Sequence, residues 1–216
     1  MTQKQIEHDR QVTREGNPGK PQGEAGFEML ERMGRSHFEV TGWGLGFAGI
    51  QPGDSVLDIG CGGGAALKRM TEYVREGHLT GLDHSAVSVQ AASDFNRKEI
   101  EAGKMDILEA SVEQMPFPDQ SFDKIITIES FYFWPSPEEN LREVFRVLKE
   151  GGRFFVICDV YKKEEMSQET LANIAQYQLL VCTPEEYRKI FEKAGFLDVK
   201  AHLKEGTDWI CVEGRR

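Results

Sequence analysis

The stretch Val56-Leu57-Asp58-Ile59-Gly60-Cys61-Gly62-Gly63-Gly64-Ala65 decides the fold. A short apolar run stops at a glycine turn, and helix-compatible sequence resumes at Ala65. Glycines allow positive φ and let a ligand come close to the backbone. The helix start beyond them offers free N–H groups and a partial positive charge. A polar or anionic part of a ligand is expected there.

Working outward, His78-Leu79-Thr80-Gly81-Leu82-Asp83 reads as the next strand, also ending in an acid. Asp83 falls about 20 residues beyond the loop, where dinucleotide folds place an acid on ribose hydroxyls. Loop and acid together point to a nucleoside-bearing cofactor. The spacing Gly60-x-Gly62-x-x-Ala65 also meets the loose nicotinamide-dinucleotide fingerprint. Three features oppose that reading. Asp58 would set a negative charge near a pyrophosphate, and suits an ammonium or sulfonium better. A helical extension precedes the loop. The chain after Gly60 leaves no room for a separate substrate domain.

The rest of the chain alternates strands and helices. Further strands are expected at 105–111, 122–129, 153–160, 197–203 and 208–213. Helices are expected at 24–35, 65–75, from a Ser85 cap to about Gly103, and at 137–150 with a Gly151-Gly152 stop. Thr183-Pro184-Glu185-Glu186 carries a capping box and Pro at N1. Residues 1 to about 23, with GNPGKPQG, read as a loop or mobile arm, and TGWGLGFAGI (41–50) as a Gly-rich stretch. This order specifies a layered α/β sheet with crossover helices. One structural domain is expected, divided into an N-terminal arm and helical lid (1–45) and a main unit (46–216).

Composition excludes several classes. The 216 residues are 39% hydrophobic and 29% charged, the balance of a globular chain. No apolar run approaches membrane-helix length, and the polar N-terminus is no signal peptide. With 26 basic against 36 acidic residues the net charge is -10, which disfavours nucleic acid. Four isolated cysteines and five scattered histidines show neither a disulfide framework nor metal-ligand spacing, so no metal is expected. A reducing, cytoplasmic setting is the expectation.

In order and spacing, VLDIGCGGG (56–64), GLDHS (81–85), MPFPDQSFD (115–123) and LREVFRVLKEGGRFFV (141–156) resemble the class I S-adenosylmethionine-dependent methyltransferases of the small-molecule type. The resemblance covers roughly residues 27–213. It implies a Rossmann-like, doubly wound, seven-stranded sheet with the last strand antiparallel. It implies S-adenosylmethionine as cofactor and S-adenosylhomocysteine as product. Asp58, Gly60 and Gly62 would line the methionine moiety, with Cys61 contributing backbone. Asp83 would hold the ribose hydroxyls and His84 would lie beside the adenosine. Ser111 stands where the family often has an Asp for the adenine amino group, a departure from the family's side-chain adenine contact, and the backbone of Val112 would supply the neighbouring contact. Glu129 would face the methionine end and the acceptor.

Methyl transfer from a sulfonium needs mainly proximity and orientation. A base is required only for an acceptor protonated at neutral pH. Glu129, His37 and Tyr132 are the catalytic candidates; Asp159 is a weaker one. Phe131-Tyr132-Phe133-Trp134 could shield a sulfonium or line an apolar pocket, or simply pack. The segment 161–182 is a second lid candidate, and its KKEE run (162–165) a solvated face. The leading function is methylation of a small molecule at O, N, S or C by a monomer or homodimer. A noncatalytic cofactor-binding protein of the same fold, an RNA or protein methyltransferase and, more distantly, a nicotinamide-dependent oxidoreductase remain as alternatives.

Overall fold

The computed structural model describes residues 2–216; Met1, the first residue of the expected arm, lies outside them. Seven strands form one sheet in the order β3-β2-β1-β4-β5-β7-β6. They are β1 Ser55–Ile59, β2 His78–Asp83, β3 Met105–Glu109, β4 Phe122–Ile128, β5 Leu148–Cys158, β6 Leu197–Leu203 and β7 Ile210–Arg215. β1 pairs in parallel with both β2 and β4, and β7 runs antiparallel to β5 and β6. The resemblance implies this arrangement, including the reversed last strand. Strand order reverses between β1 and β4, and a crevice is expected at the carboxyl ends there.

Both faces of the sheet are covered, because alternate side chains of one strand enter different cores. In β5, Phe154 and Val156 join an aromatic core with Phe131, Trp134, Tyr187, Phe191 and Phe196. Phe155 and Ile157 face the other core with Val40, Leu45, Val56, Leu67 and Met70. The helices are α1 Gln3–Gly16, α2 Gly23–Ser36, α3 Phe38–Ala48, α4 Ala65–Met70, α5 Ala86–Phe95, α6 Arg97–Glu101, α7 Pro137–Val147, α8 Gln168–Tyr177 and α9 Pro184–Lys193. The Ser85 cap and the Thr183–Glu186 capping box both form. All four cysteines are free and buried.

Several element readings are corrected. The N-terminal stretch read as loop holds α1, capped by the Thr2 side chain on Gln5 N–H. Its loop is confined to 17–22, and Val12 is its buried anchor. The Gly-rich stretch lies mostly in α3. A Cβ on Gly44 would come 2.6 Å from Ile157, so the glycine lets the helix press onto the sheet. The helix expected to reach Glu150 stops at Val147, and β5 starts at Leu148 and runs through Gly151-Gly152. That pair lies within the β5 segment, where the β4 register shifts between Leu148 and Arg153. The helix from Ser85 breaks into α5 and α6 at Asn96, and the one from Ala65 stops at Met70. The last strand lies two residues later than expected, at Ile210–Arg215.

Candidate functional site

A cavity of about 1390 Å³ opens at the carboxyl ends of β1, β2 and β4, roofed by α2 and the start of α3. The β1–α4 loop forms its floor. Gly60, Gly62 and Gly64 adopt φ of 74°, 52° and 78°. At Gly60 a Cβ would fall 2.0 Å from Ser130 Oγ, so no side chain fits there. The N–H groups of Gly60 and Cys61 donate to the Leu82 carbonyl at 2.7 and 3.1 Å. Asn96 Nδ2 donates to the Gly64 carbonyl at 3.1 Å, pinning the loop's far end.

Asp58 is 1% exposed and neither carboxylate oxygen has a hydrogen-bond partner. Burial first, then the neighbouring Asp83 charge, push its pKa up to about 7. An orphaned carboxylate on a glycine-lined floor suits a cationic ligand group. Asp83 is held differently. Its oxygens accept from Gly62 N–H at 3.0 Å and Ser85 N–H at 2.9 Å. Burial raises its pKa while those N–H groups oppose the rise. Each oxygen keeps a lone pair for a ligand hydroxyl. His84 Nδ1 lies 4.0 Å from Asp83, half-exposed. Ser111 and Val112 line the same cavity, and Ser111 Oγ donates to Glu113 Oε2 at 3.0 Å.

His37 and Glu129 line the opposite wall, whereas Tyr132 and Asp159 contact Glu129 without lining the cavity. Glu129 follows β4 with a left-handed φ of 53°, a backbone position that costs energy outside glycine. Its Oε2 accepts from the Tyr132 hydroxyl at 2.8 Å, and its Oε1 accepts from Asp159 N–H. Burial and the Asp159 charge hold its pKa well above the usual range. Burial, followed by Glu129, raises the Tyr132 phenol likewise. His37 sits at the α2–α3 junction, where burial lowers its pKa against the opposing pull of Asp159. One ligand atom each from His37, Glu129 and Asp159 lie within 4.8 Å of one another.

The aromatic stretch divides its tasks. Phe131 is fully buried against Tyr187, whereas Phe133 and Trp134 line the cavity. The KKEE run makes surface pairs, Lys162 with Glu186 at 3.6 Å and Lys163 with Asp208. Sequence reasoning missed Thr41, Phe27, Phe38 and Asn96. The His37–Thr41 spacing of one helical turn was a signal available only once α3 is recognised as a helix.

The chain matches the family described as "Methyltransferase domain" over residues 57–156, which span the glycine loop, Asp83 and Glu129. Over that stretch the chain carries a methyltransferase domain. The chain is 32% identical over 157 residues to 2-methyl-6-phytyl-1,4-hydroquinone methyltransferase 1, chloroplastic, of Oryza sativa subsp. japonica, covering 73% of this chain and 45% of the relative. It is 24% identical over 172 residues to the uncharacterized methyltransferase YdaC of Bacillus subtilis, covering 80% of this chain and 87% of the relative. The chain therefore spans less than half of the plant relative's length. A methyltransferase solved with the Trm112 methyltransferase activator of Haloferax volcanii shares the fold at TM-score 0.72 and 24% identity, over 86% of this chain and 92% of that one.

Proposed function

We propose that this methyltransferase transfers the methyl group of S-adenosylmethionine to a small-molecule acceptor carrying an O, N, S or C nucleophile. The carrying observation is one cavity that joins the orphaned Asp58 carboxylate and its glycine floor to the His37–Glu129 wall. Asp58, Gly60, Cys61 and Gly62 would hold the methionine end, with the Asp58 carboxylate on its ammonium. Asp83 would accept from the ribose hydroxyls, beside His84. Ser111 and Val112 would meet the adenine. When bound, the cofactor supplies an electrophilic methyl on a cationic sulfur.

The chain's own work is orientation and exclusion of water. Glu129 and Tyr132 hold each other at the acceptor end, and His37 closes it from the N-terminal side. These three would anchor the acceptor and take its proton where it carries one. Residues 1–45 would serve as arm and lid over residues 46–216, since α2 and α3 supply the cavity's roof. A net charge of -10 supports a small molecule over nucleic acid. No helix among the described residues is long and apolar enough to cross a membrane. Four free thiols support a reducing, cytoplasmic setting.

Parallel calorimetric titration with S-adenosylmethionine, S-adenosylhomocysteine and NAD tests the cofactor. Binding of the two sulfur nucleosides alone is expected, and binding of NAD alone overturns the reading. Release of S-adenosylhomocysteine across a panel of hydroxyl, amine and thiol acceptors then separates turnover from mere binding.

A further inference from the structure

We infer that His37, Glu129 and Asp159 form a site for a first-row divalent cation at the acceptor end of the cavity. The three come from separate elements: the α2–α3 junction, the end of β4 and the end of β5. Their ligand atoms already lie within 4.8 Å of one another. Ligand bonds of about 2.1 Å place donor pairs roughly 3–4 Å apart, so a small inward movement completes the set. Among the described residues no lysine or arginine forms an ion pair with either carboxylate. Glu129 is 7% exposed, and a cation would take the place of the proton that burial favours on it.

Glu129 is also oriented as a ligand would be. The Tyr132 hydroxyl and Asp159 N–H use one lone pair on each oxygen and leave the other free. Outer hydrogen bonds of this kind fix ligating carboxylates. Thr41, one turn after His37 on α3, lines the same cavity. One imidazole and two carboxylates suit manganese, iron, cobalt or zinc, with positions left for water or acceptor oxygens. The cation's role rests on the methyl-transfer reading: it would hold an oxygen-bearing acceptor against the cofactor. Its binding does not.

The test uses the full chain, stripped with a chelator, dialysed and titrated with MnCl2. Free manganese is followed by electron paramagnetic resonance. One ion per chain is expected, with affinity reduced about tenfold or more in His37→Ala and in Asp159→Asn. His78→Ala, which removes a surface histidine paired with Asp106, should leave it unchanged. In the unmutated protein, bound manganese should broaden the His37 ring signals and spare those of His8, His78 and His202, so the answer does not depend on a variant folding. No binding up to about 1 mM, undiminished binding in both site variants, or a sharp His37 signal beside a broadened surface histidine overturns the inference. The first of these leaves Glu129 and Asp159 to share a proton instead. S-adenosylhomocysteine titrated into the same samples reads the cofactor site separately. A protein that binds it but no manganese sinks the cation and keeps the methyl-transfer reading.

Discussion

Asp58 is a carboxylate in the wrong place for stability and the right one for a cation. Its folded pKa is raised from 3.8 to about 7, so the native state holds this proton more tightly than the unfolded chain does. The group's contribution to stability therefore falls as pH climbs from about 4 to about 7, then levels off; the whole span is worth about 4 kcal/mol. Asp58→Asn removes the charge. Urea unfolding at pH 8 should show the variant more stable than the parent, with the gap closing toward pH 4. Cofactor affinity should move oppositely: the parent binds more tightly as pH rises through about 7, and the variant binds weakly at every pH. A variant with parental affinity would remove Asp58 from the ammonium. Asp83→Ala should weaken S-adenosylhomocysteine by about 1–3 kcal/mol through lost charged hydrogen bonds, read by calorimetry.

These two acids were legible in the sequence because each ends a strand beside a local signal, a glycine turn or a helix cap. The grouping of Glu129 with His37 and Asp159 was not legible. The three residues are far apart along the chain, and only the β4–β5 pairing and the seat of α3 on the sheet bring them together.

At the scale of the element, α3 is the instructive case. Gly42, Gly44 and Gly46 give it poor intrinsic helix propensity, and the local sequence reads as a loop. Contact overrides propensity here. Gly44 faces Ile157 at a distance no methyl group tolerates, whereas a Cβ on Gly46 would meet nothing within 4 Å. Gly44→Ala should therefore destabilise by about 1–3 kcal/mol through overpacking. Gly46→Ala should stabilise by up to about 1 kcal/mol. Thermal melts of the pair check both signs; equal effects would mean that α3 does not press on β5 as described. The Gly151-Gly152 pair teaches the reverse lesson. It looks like a helix stop, yet Gly151 N–H donates to the Arg216 carbonyl and Arg216 N–H to that of Gly152, both at 3.0 Å. The pairing partner is the chain's last residue, which no local window contains.

Across the whole molecule, the cavity is walled on one side by strand ends and on the other by helices that precede the sheet. The two sides are tied by few polar links, among them Ser85 Oγ donating to the Pro21 carbonyl at 2.5 Å. Ligand bridging both walls should hold them together. Hydrogen exchange read by mass spectrometry should slow across residues 18–41 when S-adenosylhomocysteine is added, with β5 and β7 unchanged. Equal exchange with and without ligand would mean that the N-terminal helices take no part in closure.

The burial of every cysteine gives the chain an internal clock. Cys158 and Cys211 lie within adjacent central strands and are fully buried, while Cys61 and Cys182 are each 6% exposed, in the cofactor loop and just before α9. A thiol-specific dye should therefore label in two waves. Cys61 and Cys182 would react through local opening, with Cys61 shielded by bound nucleoside. Cys158 and Cys211 would react only when the sheet itself comes apart, so at dye concentrations where labelling outpaces refolding their labelling rate is the unfolding rate.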